Sequence, residues 1–143
     1  MTNPDMLYKS VLEADREAIV LCSPEHVIVY MNPAAKDRYG NRGGAALVGK
    51  SLLDCHNERS RGLIIKVVEW FQASPGNNLV YTYYNPKENK DVYMVALRNE
   101  AGELIGYYEK HERRDRETMK QYDLAHTASC EALPAALGEN QWN

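Results

Sequence analysis

Apolar residues recur along this chain with a helical period in some stretches and a strand period in others, and the switches predict its elements. Over residues 5–17, Met6, Leu7, Val11, Leu12 and Ala14 line one side of a short amphipathic helix. Ala18-Ile19-Val20-Leu21-Cys22 and Val27-Ile28-Val29-Tyr30-Met31 read as two strands, hairpinned across Ser23-Pro24-Glu25-His26. Asn32-Pro33 then starts a helix to about Tyr39, since Asn caps helix starts and Pro suits the first helical position. Gly40 is expected to end it in a left-handed conformation. Residues 41–44 read as loop, and Leu47 to Asp54 hold one more helical turn.

The clearest helix runs from Ser60 to Ala73, where Leu63, Ile64, Val67, Val68 and Phe71 form one continuous face. Ser74-Pro75-Gly76-Asn77-Asn78 breaks it. Three strand-like runs follow, Leu79 to Tyr84, Asp91 to Arg98 and Leu104 to Lys110, with Asn-, Pro- and Gly-bearing turns between them. From Glu109 to Lys120 the charge density rises sharply, which reads as a solvated helix or linker at the domain edge. The expected organisation is an N-terminal helix (1–17), one domain (18–113), and a charged linker or helix with a flexible tail (114–143). Strands, then helices, then strands predict an α+β fold, an antiparallel sheet with its helices on one face.

Composition narrows the class. The 143 residues suit one domain with short extensions, and 44% hydrophobic content is enough for a core without staples. A formal charge of −3 gives no basic face for nucleic acid. No apolar run is long enough to cross a membrane, and the first residues do not resemble a signal peptide. The expectation is a cytoplasmic protein whose three cysteines, Cys22, Cys55 and Cys130, stay reduced and match no zinc spacing.

Four stretches together resemble the PAS family. Val27-Ile28-Val29-Tyr30-Met31-Asn32-Pro33-Ala34-Ala35 is similar to its second strand entering the first core helix. Leu47-Val48-Gly49-Lys50-Ser51-Leu52-Leu53-Asp54 is similar to its hydrophobic–Gly–basic–Ser segment, and the helix from Ser60 to Ala73 takes the place of the one covering the sheet. Asn99-Glu100-Ala101-Gly102-Glu103-Leu104-Ile105-Gly106 resembles the last hairpin. The likeness spans about residues 10–113. A narrower one, ending in Asp54-Cys55-His56, points to bacterial PAS domains beside hemerythrin-like domains, but Asn57 and Glu58 replace the two prolines usual there. The resemblance implies a five-stranded antiparallel sheet of order 2-1-5-4-3. It also implies a pocket for haem, flavin, a small metabolite or nothing, and dimers formed through the N-terminal helix and outer sheet face.

The pocket candidates are Cys55, His56, Leu63, Ile64, Val67, Tyr81, Tyr93 and Met94. His56 would offer a neutral imidazole to haem iron between apolar walls, although the long helix itself contains no histidine. Flavin photochemistry lacks its reactive-cysteine motif, leaving Cys55 as a small buried hydrophobe. Tyr30, Tyr81, Tyr83, Tyr93 and Tyr107 alternate along strands, and inward members would offer hydroxyls to a ligand. His26, His111 and His126 are expected in solvent. For enzymology only Asp54 and His56 can be nominated, as the acid–base pair of an isomerase- or hydratase-like enzyme. The expected function is therefore not catalysis. It is a sensory or interaction module that binds a small ligand and pairs with itself or a signalling protein.

Overall fold

The computed structural model describes residues 2–122, so the expectations for Cys130, His126 and the tail lie outside the described residues. Its elements run α1 (Pro4–Ala14), β1 (Val20–Cys22), β2 (Ile28–Met31), α2 (Pro33–Arg38), three short 3₁₀ turns (Gly40–Arg42, Gly44–Leu47, Leu52–Cys55), α3 (Glu58–Ala73), β3 (Leu79–Asn85), β4 (Lys90–Arg98) and β5 (Leu104–Arg113). The strands form one antiparallel sheet of order β2-β1-β5-β4-β3, with helices over one face, as expected. Among the described residues no helix is long and apolar enough to cross a membrane.

Local chemistry sets the boundaries. Asn32 caps α2 by accepting from the Ala35 amide, with Pro33 at the first helical position. Asn57 caps α3 the same way, accepting from Ser60 N at 2.9 Å, so the helix starts two residues before the sequence pattern shows it. Gly40 does not end α2 in a left-handed turn. Tyr39 is the C-cap, and the positive φ values fall at Gly43 (122°) and Gly44 (53°).

The core lies between α3 and the sheet. Ile64, Val68 and Phe71 from α3 meet Cys22, Ile28, Met31, Met94 and Tyr107, all buried. Leu63, predicted on that face, is 55% exposed. Arg98 fastens the far end of α3. Its guanidinium donates to the carbonyls of Phe71 (2.6 Å), Ser74 (3.0 Å) and Asn77 (3.0 Å), and also to Gly102 O and Asn78 Oδ1.

One expectation at the C-terminal end is corrected. Glu109 to Arg113 are not linker, because β5 continues to Arg113 paired with Lys90 of β4, and no helix follows within the described residues. The stripe on α1 is not packed on its own domain: Met6, Leu7 and Val11 are more than half exposed and the helix buries no residue. On β3 the register slips between Tyr81 and Tyr83, leaving Thr82 as a bulge whose hydroxyl donates to Val92 O at 2.9 Å.

Candidate functional site

Alternation along β5 decides the chemistry of the interior. Pairing places Tyr107 opposite Ala96, Glu109 opposite Met94 and His111 opposite Val92, and Met94 and Val92 are buried in the core. Tyr107, Glu109 and His111 therefore point inward, while Tyr108, Lys110 and Glu112 take the other face. The result is a row of titratable groups under the helices.

They face a cavity of about 90 Å³. Val20, Ile28, Met31, Leu47, Leu52, Ile64 and Met94 give it apolar walls, and Tyr39, Arg42, Cys55, His56, Glu109 and His111 bring polar groups. Arg42, Leu47 and Cys55 also line a shallower depression with Lys50, Ser51 and Asp54, so these three residues separate the cavity from the surface.

Most charges near the site are already paired. Arg38 holds Glu88 with two bonds of 2.6 and 2.7 Å, and the buried Lys90 ammonium meets Glu17, which Arg113 also approaches at 3.5 Å. Burial alone would raise Glu17, but the hydrogen bond and charge of Lys90, with Arg113, hold it below the ordinary carboxylate range.

Glu109 has no such partner. Among the described residues no donor makes a hydrogen bond to its carboxyl, and His111 Nε2 stands 3.4 Å from Oε1, long for a strong bond. Its side chain keeps 39% of its surface, facing the cavity it lines. Burial pushes the carboxyl above its usual range, opposed by the positive charge of Arg38. The His111 ring is 5% exposed and its Nδ1 is buried without a partner. Burial, then the charges of Lys90 and Arg38, favour its neutral form.

These shifts have opposite consequences for stability. A carboxyl whose folded value is raised lets the unfolded chain ionise first, so its contribution is lost as pH rises from the unfolded value near 4.3 through the folded one. A histidine whose folded value is lowered removes stability as pH falls through about 6.5, and burial lowers His26, His56 and His111 alike. Glu109→Gln keeps the shape and deletes one titration. Urea midpoints should match those of the parent near pH 4 and exceed them at neutral pH. A variant less stable than the parent at neutral pH would show that the carboxylate is satisfied.

The nominated residues divide. Cys55, His56, Ile64 and Met94 line the cavity, Val67 packs at its margin, and Leu63 is largely exposed. Tyr81 and Tyr93 are not in the pocket. They pair across the opposite sheet face with ring centroids 5.1 Å apart, because Met94, next to Tyr93, takes the inward position. Asp54 is exposed in the shallow depression, apart from the cavity that His56 lines. A cavity of about 90 Å³ does not hold a macrocycle the size of haem.

His26 and His111 are not solvated as expected. His26 Nδ1 lies 2.8 Å from Tyr107 Oη with the rings edge-on, and that hydroxyl neighbours Cys22, whose thiol burial pushes up to about 12. The sequence reading missed Glu109, Arg42 and Tyr39. Glu109 already lay within the strand read from Leu104 to Lys110, and carrying the period-two pattern three residues further to Arg113 would have turned His111 inward as well.

No family model matches the chain, and no curated protein matches it. Solved structures do. A C-terminal domain from Streptococcus mutans aligns at TM-score 0.60 with 18% identity, over 76% of this chain and 84% of that one. The PAS domain of Bordetella pertussis BvgS aligns at 0.56 with 14% identity, over 80% and 89%. A PAS domain from Colwellia psychrerythraea aligns at 0.54 with 12% identity, over 78% and 97%. Identities this low speak to architecture, and not to the narrower likeness involving hemerythrin-like domains. In strand order, helical layer and alignment with these domains, the chain has a PAS-type fold.

Proposed function

We propose that the chain is a sensory module rather than an enzyme: a small molecule occupies the core cavity, its presence is read by β5, and the module works as a pair of copies. The observation that carries this is the position of Glu109 and His111. They face the cavity from the strand that leads directly into the charged segment after Arg113. A ligand touching them acts on the last residues of β5 without any intervening element.

The exit is held by definite contacts. Arg114 bonds both oxygens of Asp91 at 2.8 and 2.6 Å and lies 4.3 Å over the Tyr84 ring, while Asn89 holds Asp115 at 2.6 Å. These contacts tie 114–115 to β3, β4 and the turn between them, so a shift of β5 relative to β4 would strain or release them. No reaction is assigned: Asp54 and His56 do not share the cavity, and Glu109 and His111, which do, are read here as ligand contacts.

Pairing follows from α1 and the outer sheet face. An 11-residue helix is marginal alone in water, and this one leaves Met6, Leu7, Tyr8 and Val11 exposed. Val29, Leu79, Tyr81 and Ile105 are exposed as well. A second copy related by a two-fold axis would cover both surfaces. Native mass spectrometry of protein prepared from its source tests both halves of the proposal. The expected result is a dimer carrying a small extra mass on each chain, and a monomer when the chain begins at Ala14. A monomeric full chain at tens of micromolar sinks the pairing, and a dimer with no extra mass sinks the resident ligand.

A further inference from the structure

Building on the reading of the cavity as a ligand site, we infer that it takes a small zwitterion, an amino acid type of molecule with its ammonium on Glu109 and its carboxylate on Arg42. Two observations carry this, the charges left over when the pairs are drawn and where those charges lie.

Arg38 is spent on Glu88, and Lys90 and Arg113 on Glu17. Of the charged side chains lining the cavity, Glu109 and Arg42 remain. Glu109 lies beside Met94 in the middle of the sheet, its side chain 39% exposed, with two oxygens and no hydrogen-bond donor among the described residues. Arg42 sits at the partition towards the surface. It gives one long bond, Nη1 to Cys55 O at 3.3 Å, and among the described residues makes no ion pair. A guanidinium with donors to spare is suited to a carboxylate.

The remaining groups exclude simpler ligands. A plain carboxylate would meet Glu109, and a plain amine would leave Arg42 without a partner. A metal ion is disfavoured because the described residues contain no group of three His, Cys, Asp or Glu side chains able to hold one. Between the two charges the wall is apolar, with Val20, Ile28, Met31, Leu52 and Ile64, so the ligand has a short hydrocarbon body. A cavity of about 90 Å³ restricts the ligand to a small molecule with a short chain between its two charges. An ammonium arriving at Glu109 also favours the ionised carboxylate that burial otherwise disfavours, so binding should release protons at mildly acidic pH.

The test uses the full chain and probes matched in size: 3-aminopropanoate and 4-aminobutanoate as zwitterions, propanoate and propylamine as single charges. Calorimetry and amide NMR shifts of cavity residues give affinity and place. One of the zwitterions should bind at least tenfold tighter than either single-charge probe. Glu109→Gln should reduce it to the level of propanoate, and Arg42→Gln to that of propylamine. Equal binding of all probes, or tighter binding of propanoate, overturns the assignment of charge. Dissolved xenon distinguishes the remaining failures. If xenon shifts the Ile28, Ile64 and Met94 methyls while no zwitterion binds, the cavity stands and the ligand class is wrong. If xenon does not enter either, the cavity reading fails with it.

Discussion

Asn32→Ala should cost about 3–5 kcal/mol, a third or more of the stability of an ordinary domain. Asn32 is fully buried, and both ends of its amide are used. Oδ1 accepts from the Ile19 and Ala35 amides at 2.9 Å each. Nδ2 is shared among the carbonyls of Leu12 (3.0 Å), Asp15 (3.3 Å) and Glu17 (2.9 Å). One side chain thus starts α2, closes the end of α1 and fixes the approach to β1. Alanine leaves two buried N–H groups without acceptors, each costing about 1–3 kcal/mol, besides the lost cap. Asn32→Asp separates the halves, because it retains the acceptor but turns a carboxylate on three carbonyl oxygens. Chemical denaturation should rank the parent well above both variants, and hydrogen exchange should rise first at 12–19. A loss under 1 kcal/mol for alanine would mean that the carbonyls and amides find other partners.

Arg98→Ala should rank next, at about 3 kcal/mol, and Arg98→Lys should recover less than half of it. The guanidinium reaches five acceptors on three separate segments, the end of α3, the α3–β3 loop and the β4–β5 turn. A compact ammonium lacks the fork needed to serve them together. The positive charge also suits the carbonyl end of α3. Because α3 supplies Ile64 to the cavity wall, the loss should reach the site as well as the global fold. Denaturant midpoints measure the first effect, and exchange of the α3 amides below the global transition measures the second. Full rescue by lysine would reduce Arg98 to a surface charge near a helix end.

Much of this architecture was legible because apolar periodicity carried it. Ile64, Val68 and Phe71 mark the buried side of α3, and the Asn-, Pro- and Gly-bearing turns set off the three strands from Leu79 onward. The site was less legible because its alternation is written in polar residues. Glu109, Lys110, His111, Glu112 and Arg113 read as a solvated charged run, yet they alternate between cavity and solvent on one strand. Hydropathy cannot separate two faces that are both polar. His26 was hidden for another reason, since its partner Tyr107 lies 81 residues away and only the closed sheet brings them together. Leu63 erred in the opposite direction, being apolar and on the predicted buried face of α3 but 55% exposed.

The bulge at Thr82 bears on the open edge of the sheet. β3 is an outer rim of the sheet, and seven residues of regular rim would offer a template for a foreign strand. Thr82 breaks the row, its hydroxyl satisfies the Val92 carbonyl, and Asn85-Pro86 ends it. The other rim is shielded differently, with Val27 bridged to Ser51 and Ile28 exchanging backbone bonds with Gly49 and Lys50. Growth by strand addition is therefore blunted at both rims, which leaves the broad faces as the route for association. Segments of high β-propensity with an open, regular edge invite strand stacking, and here one misregistered residue interrupts that edge.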